Sequence, residues 1–156
     1  MALSVGQTAP DFKLFNTEKQ EVTLSSFKGK NVILHFFPLA FTGVCTTQLC
    51  TARDNMDVYT KLNAVVLGIS VDSLFSLAEF KKQQHYNFDL LSDFNKEVIK
   101  NYGLVVENFA FGMQGVSKRA AFVLDKEGVV RYAEVTPTPG DLPNFTAIKE
   151  ALESLN

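Results

Sequence analysis

Three predominantly apolar runs mark the chain, at residues 32–37, 64–71 and 120–124. Apolar runs of this length without polar alternation are typical of strands buried on both faces, as in a parallel or mixed sheet covered by helices. The turn at 125–128 (DKEG) leads into residues 129–134. This arrangement predicts a β-hairpin formed with the third run.

Between these runs, apolar residues recur at helical spacing. In the segment 46–62, Leu49, Ala52, Met56 and Tyr59 follow one another at steps of three or four residues. This spacing places them on one face, which predicts a long helix with that face directed to the core. Further helices are predicted at residues 75–84, 96–102 and 144–155.

The order of these elements is strand, helix, strand, helix, and then a hairpin and a final helix. This order predicts an α/β sandwich, in which one sheet carries helices on both faces. Short strand candidates at residues 12–14 and 21–24 would add edge strands at the N-terminal side. A chain of 156 residues without repeats or linkers is expected to form a single domain, residues 1–156.

Composition narrows the choice of partners and location. The chain has 46% apolar and 21% charged residues, a net charge of −2, and no basic block. Nucleic acid and anionic membranes are therefore not expected as partners. The N-terminus lacks the pattern of a signal peptide, and no segment is apolar enough to span a membrane. We expect a cytoplasmic protein, whose thiols are kept reduced.

Both cysteines lie in the stretch FFPLAFTGVCTTQLC, residues 36–50, directly after the first predicted strand. Cys45 opens the long predicted helix, where free N–H groups and the helix dipole stabilise a thiolate. Thr42 is placed to cap this helix and to turn its hydroxyl toward the sulfur. Pro38 fixes the loop backbone. Cys45 also lies on the apolar line of the helix, so a buried core thiol is an equally good interpretation at this point.

The spacing of the two cysteines constrains their chemistry. Five helical residues separate Cα atoms by about 8.6 Å. A disulfide requires about 7 Å or less, so Cys45 and Cys50 can be joined only if the helix unwinds. Cys50 lies off the apolar line, on the side of Arg53, Asp54 and Asp57, and is expected to face solvent with them.

These residues carry a family resemblance. Residues 38–45 (PLAFTGVC) resemble the Pro-x-x-x-Thr-x-x-Cys active-site motif of peroxiredoxins, in the AhpC/TSA superfamily. Residues 45–55 (CTTQLCTARDN) resemble the peroxiredoxin Q (bacterioferritin comigratory protein) branch. Residues 6–12 and 118–125 also look like family landmarks, so the resemblance spans nearly the whole chain. Residues 36–43 are similar to a branch with only the first cysteine, but Cys50 favours the two-cysteine branch.

The resemblance implies a thioredoxin-like fold, with a central mixed β-sheet, helices on both faces and an N-terminal β extension. It implies that Cys45 reduces hydrogen peroxide or organic hydroperoxides and becomes a sulfenic acid. Cys50 would resolve this acid as an intramolecular disulfide, which thioredoxin or a glutaredoxin-like dithiol would reduce. In the family, donors equivalent to Thr42, the Cys45 N–H and Arg119 stabilise the transition state, and the equivalent of Pro38 shields the pocket.

Three alternatives remain open. Cys50 is incidental if an external thiol resolves Cys45, which would make the protein a one-cysteine peroxidase. The chain is a redox sensor or holdase if oxidation mainly exposes apolar surface for binding. It is a plain interaction domain if both thiols are idle. Neither a monomer nor a homodimer is favoured by the sequence.

No metal or other cofactor is expected. The two histidines and two cysteines lack the C-x₂₋₄-C spacing of structural zinc sites. His35 lies inside the first apolar run and is expected to be buried and hydrogen-bonded. Arg53 is expected to pair with Asp54 or Asp57 at the surface, with a minor role at most beside Cys50. The Phe-rich segment 109–113 is placed in a loop that could face a substrate channel or a partner subunit.

Overall fold

The computed structural model describes all 156 residues of the chain. Nine strands, five α-helices and two 3-10 helices make up its regular structure. The strands are β1 (Lys13–Asn16), β2 (Glu21–Thr23), β3 (Asn31–Phe36), β4 (Ala64–Ser70), β5 (Asp89–Ser92), β6 (Val105–Val106), β7 (Val116–Ser117), β8 (Ala120–Leu124) and β9 (Val130–Val135). The helices are α1 (Gly43–Asp54), α2 (Met56–Lys61), α3 (Leu74–Gln84), α4 (Glu97–Asn101) and α5 (Phe145–Ser154). The 3-10 helices are Leu24–Phe27 and Ala110–Gly112.

Seven strands form one mixed sheet in the order β2-β1-β5-β4-β3-β8-β9. Strands β3, β4 and β5 run parallel, whereas β8 is antiparallel to β3 and continues into β9 through the predicted hairpin. Strands β6 and β7 form a separate pair. The carboxyl end of β3 lies next to the start of β8, because Phe36 pairs with Ala120. This register brings the loop before α1 close to residue 119.

Helices cover both faces of this sheet, as predicted. Successive side chains of a strand point to opposite faces, and β3 is buried along its whole length. Leu34 and Phe36 belong to the core on the α4 side. Ile33 and Phe37 belong to the core on the opposite side, which α1, α3 and α5 cover. An uninterrupted apolar run is the pattern that such a two-sided burial requires.

Three details differ from the sequence-based prediction. The segment 46–62 is not one helix, because α1 ends at Asp54 and α2 begins at Met56. Asn55 forms this break and its side-chain amide donates to the carbonyl of Thr51. Strands β5, β6 and β7 were not predicted. Of the two N-terminal strands, only β2 lies at the edge, since β1 is covered by β5. No helix has the length and apolar character needed to cross a membrane.

Candidate active site

Cys45 is the third residue of α1 and is completely buried. Six residues separate the end of β3 from the start of α1, so the strand and a short loop set the position of the cysteine. The first hydrogen bond of the helix runs from the Thr46 N–H to the Thr42 carbonyl. The earlier N–H groups of α1, including that of Cys45, therefore have no protein acceptor and point out of its positive end.

The loop that precedes α1 is held by a carboxylate from the neighbouring strand end. The Ala40 N–H donates to Asp72 Oδ2 at 2.8 Å, and the Ser70 hydroxyl donates to the same oxygen at 2.6 Å. Phe41 follows with a φ of 69°, a left-handed conformation that non-glycine residues rarely adopt. Its ring packs on Phe80 with centroids 5.0 Å apart. These contacts fix the point at which α1 starts.

Arg119 lies directly against the Cys45 sulfur. Its Nη1 donates to Cys45 Sγ at 3.2 Å, across 74 residues of sequence. Its Nε and Nη2 both donate to the carbonyl of Pro139, at 3.1 and 2.8 Å. Because only 4% of Arg119 is exposed, its charge acts on the sulfur with little screening by water. A buried cation in contact with the sulfur stabilises negative charge that develops at this position. The predicted location of Arg119 beside the Cys45 helix is confirmed.

A second side chain shares the same guanidinium. Arg119 Nη1 also donates to Gln48 Oε1 at 2.9 Å, and Gln48 Nε2 lies 3.0 Å from His35 Nδ1. Both Gln48 and His35 are fully buried. Burial lowers the pKa of His35 from 6.5 to about 4, so its imidazole is neutral at neutral pH. The prediction that His35 is buried and hydrogen-bonded is confirmed.

Thr42 is the N-cap residue of α1, but its side chain does not cap the helix. Its hydroxyl donates to the carbonyl of Leu39 at 2.8 Å, within the preceding loop. The prediction of a side-chain cap is therefore wrong, and Thr42 Oγ1 makes no hydrogen bond to the Cys45 sulfur. The donation orients the hydroxyl within the loop and leaves its oxygen lone pairs exposed. Pro38 is buried beside this loop.

Cys50 does not face solvent, contrary to the prediction. It is half-buried against the end of α3, with Sγ 3.6 Å from Gln84 Oε1 and 3.7 Å from the Tyr86 hydroxyl. The chain turns back after α3 and places Tyr86 over this side of α1, which helical periodicity alone does not reveal. Arg53 pairs with Asp54 at 2.9 Å, as predicted, and also donates to the Gln84 carbonyl. Both cysteines are free thiols within an intact α1.

An open groove of about 650 Å³ leads to this site. Pro38 and Arg119 line this groove, whereas the fully buried Cys45 does not. Val106, Phe109 and Ala110 contribute an apolar side to the groove. The Phe-rich segment predicted as a loop thus borders the site, and Phe111 at its tip is almost fully exposed with a φ of 57°.

Two participants in the site were missed by the sequence analysis. Gln48 was treated as an ordinary helix residue, and the carbonyl of Pro139 belongs to a loop with no chemical signal. The position of Gln48 did contain a clue. It follows Cys45 by three residues, so the two side chains lie on the same face of α1. A polar residue on the buried face of a helix usually has a specific partner.

Comparison with known proteins agrees with this geometry. The model of the AhpC/TSA family matches residues 5–133. The chain belongs to the AhpC/TSA family. It is 38% identical to the alkyl hydroperoxide reductase E of Mycobacterium tuberculosis over 156 residues, which cover 98% of both chains. It is 40% identical to the putative peroxiredoxin bcp of Coxiella burnetii, over 83% of this chain and 87% of that one.

The fold agrees with solved structures of this family. A peroxiredoxin-like protein from Aquifex aeolicus superposes with a TM-score of 0.90 and 25% identity, over 100% of this chain and 90% of that chain. The thioredoxin-like fold with a mixed sheet is therefore confirmed. As a member of the AhpC/TSA family, the chain is a peroxiredoxin, that is, a thiol-dependent peroxidase.

Proposed function

We propose that Cys45 is the peroxidatic cysteine of this peroxiredoxin, and that it reduces hydrogen peroxide and organic hydroperoxides. The contact between the buried Arg119 guanidinium and Cys45 Sγ is the observation that carries this proposal. Burial alone would make a thiol inert. A fixed cation at 3.2 Å instead favours the reactive thiolate, and this same cation lines a groove that is open to solvent.

The chemistry follows from the charges at the site. The Cys45 thiolate attacks the distal oxygen of the hydroperoxide, so that an S–O bond forms as the O–O bond breaks. The leaving oxygen takes the electron pair and a proton, and departs as water or an alcohol. Arg119 and the free N–H groups at the start of α1 stabilise the negative charge that develops on the two oxygens. The Thr42 hydroxyl is exposed and donates its proton to the Leu39 carbonyl, so its oxygen accepts a hydrogen bond from the hydroperoxide, and Pro38 shields the sulfur.

The groove indicates which substrates fit. Its apolar side, formed by Val106, Phe109 and Ala110, lies next to Arg119. A hydroperoxide bound at the guanidinium can place an alkyl chain along this side and bury apolar surface there. Organic hydroperoxides are therefore proposed as substrates in addition to hydrogen peroxide.

The second half of the proposed cycle uses Cys50. Its thiolate attacks the Cys45 sulfenic acid, an S–S bond forms, and the oxygen leaves as water. Helix α1 must unwind first, because helical Cα atoms five residues apart are about 8.6 Å apart and a disulfide needs about 7 Å or less. A thioredoxin or glutaredoxin-like dithiol then reduces the disulfide. This cycle starts from free thiols, which fits a cytoplasmic location.

A one-cysteine cycle is the second candidate, and the burial of Cys50 favours it. Gln84 and Tyr86 hold the Cys50 sulfur on the side of α1 that faces α3. An external thiol would resolve Cys45 if this contact kept Cys50 from reaching it. The two cycles differ in the product that a single oxidation leaves.

Oxidation by one equivalent of hydrogen peroxide separates the two cycles. Intact mass and free-thiol content are measured for the wild type and for Cys50→Ser. We expect the wild type to lose both thiols and two hydrogens, while Cys50→Ser gains one oxygen and keeps no reactive thiol. A wild type that stops at one added oxygen would establish the one-cysteine cycle. If neither protein reacts, Cys45 is not peroxidatic.

Tyr86→Phe tests whether the contact with α3 restrains resolution. The Tyr86 hydroxyl donates to the Thr46 carbonyl at 3.3 Å and lies 3.7 Å from Cys50 Sγ, so it ties two turns of α1 to the segment after α3. Each hydrogen bond contributes about 0.5–1.5 kcal/mol. Loss of the bond to the Thr46 carbonyl should speed disulfide formation by about 3–10-fold, measured by quenched-flow mass spectrometry.

Tyr59→Phe is the matched control for Tyr86→Phe. Tyr59 is a buried tyrosine of the same core layer, and its hydroxyl forms no hydrogen bond to α1. Its removal should leave the rate of disulfide formation unchanged. Equal rates in Tyr86→Phe and the wild type would show that the unwinding of α1 is limited elsewhere.

A further inference from the structure

His35 is a buried imidazole to which the proposed peroxidase chemistry assigns no task. It lies in the middle of β3, with no exposed surface, and its ring stacks on Phe145 of α5 with centroids 5.4 Å apart. One ring nitrogen, Nδ1, contacts Gln48 Nε2 at 3.0 Å. The other, Nε2, is buried without a hydrogen-bond partner. A polar side chain is costly at such a position, so its one hydrogen bond calls for an explanation.

The contact between Gln48 and Arg119 shows which way the hydrogen bonds around Gln48 run. A guanidinium can only donate, so the atom of Gln48 at 2.9 Å from Arg119 Nη1 is the amide oxygen. The amide NH₂ group therefore points to His35 and donates to Nδ1. The Nδ1 atom must carry a lone pair, which makes the imidazole the neutral tautomer with its proton on Nε2.

We propose that His35 is a positioning residue for the peroxidatic site, because its Nδ1 lone pair holds the Gln48 amide in the orientation that presents its oxygen to Arg119. If the amide turned over, its NH₂ group would face the guanidinium, and two donors would meet in a buried site. The correct orientation gives Arg119 Nη1 an acceptor beside the Cys45 sulfur. The contacts thus run from the His35 ring to the Gln48 amide, and from there through the Arg119 guanidinium to the Cys45 sulfur.

The Phe36 carbonyl does not replace this function. It lies 3.4 Å from Gln48 Nε2, near the limit for a hydrogen bond, whereas His35 Nδ1 lies at 3.0 Å. Without the imidazole, one proton of the amide has no good acceptor. The amide is then free to sample orientations that no longer hold the guanidinium against Cys45 Sγ.

A pair of variants with the same shape tests this proposal. Asn and Leu have the same number of side-chain heavy atoms with the same branching, but only Asn offers an acceptor close to the position of Nδ1. The rate of Cys45 alkylation by iodoacetamide is measured in the Cys50→Ser background, with Ile33→Val as a control for general repacking of β3. We expect His35→Leu to slow alkylation by about 3–10-fold, the effect of one hydrogen bond. His35→Asn and Ile33→Val should remain within about twofold of the parent. Equal rates in His35→Leu and His35→Asn would overturn the proposal.

A measurement on His35 in the wild-type protein tests the proposal even if the His35 variants fail to fold. Nitrogen NMR of ¹⁵N-histidine-labelled protein distinguishes the two neutral tautomers. The expected result is a proton on Nε2 of His35 in the wild type and on Nδ1 in Gln48→Glu, because a carboxylate can only accept. A wild-type proton on Nδ1 would refute the proposal. The role of His35 rests on Cys45 being the peroxidatic residue, but the tautomer is observed without peroxide. A wild type that keeps the Nε2 proton yet does not react with peroxide would therefore refute the proposed function alone.

Discussion

Replacing Arg119 with Met is expected to slow the reaction of Cys45 with hydrogen peroxide by about 10²–10³-fold. The guanidinium donates to Cys45 Sγ and is almost completely buried. Water therefore cannot replace it as a donor to the sulfur without entering the buried site. Loss of the guanidinium removes a stabiliser of the thiolate and a donor to the breaking O–O bond at once. The rate constant is measured by stopped-flow with excess hydrogen peroxide.

Arg119→Lys separates charge from geometry in this experiment. Lysine keeps the positive charge, but it lacks the planar fork that contacts the sulfur, the Gln48 oxygen and the Pro139 carbonyl together. Its rate should fall between those of the wild type and Arg119→Met. A rate of Arg119→Met within about threefold of the wild type would show that the proposed stabilisation by Arg119 is wrong.

The central part of the fold follows from local sequence pattern. The apolar runs of β3, β4 and β8 show no regular alternation of apolar and polar residues, a pattern typical of a sheet covered on both faces. Strand β5 escaped the prediction because only Leu90 and Leu91 carry its signal, and two apolar residues define no period. The break at Asn55 was missed because the apolar spacing continues across it into α2.

The candidate site was predictable only in part, and for a physical reason. Cys45 could be placed at a helix start because the strand before it and the spacing after it are local features. The contact between Arg119 and Cys45 joins residues 74 positions apart, so only the family resemblance suggested it. The burial of Cys50 depends on the end of α3, and helical periodicity within α1 contains no information about that packing.

Gln48 and His35 illustrate the same limit at the level of single atoms. A sequence can show that an imidazole lies in an apolar run, but not which group forms a hydrogen bond with its ring nitrogen. The structure shows that its partner is an amide whose oxygen in turn accepts from a guanidinium. The neutral state of His35 is thus required by its burial and by the Gln48 amide that donates to its Nδ1. This requirement has a consequence for the stability of the whole protein.

Acid is expected to destabilise the protein through His35. Burial lowers the pKa of His35 in the folded protein from 6.5 to about 4. Between these values the unfolded chain binds a proton that the folded chain excludes, so the free energy of unfolding decreases as the pH falls. The contribution of His35 is complete above pH 6.5 and is lost progressively down to about pH 4. It amounts to about 3 kcal/mol, since one pKa unit corresponds to about 1.4 kcal/mol.

Urea unfolding of the wild type, His35→Asn and His85→Asn, above and within this pH window, measures this contribution. His35→Asn keeps an acceptor for Gln48 but cannot take up a proton, so its free energy of unfolding should fall less steeply with acid than that of the wild type. His85 is exposed and has a left-handed backbone that Asn tolerates, so His85→Asn should follow the wild-type curve. Carboxylates that also titrate in acid are common to all three proteins and cancel in the differences. Parallel curves for the wild type and His35→Asn would mean that the folded protein accommodates a charged His35, and that the Gln48 amide is not held in the proposed orientation.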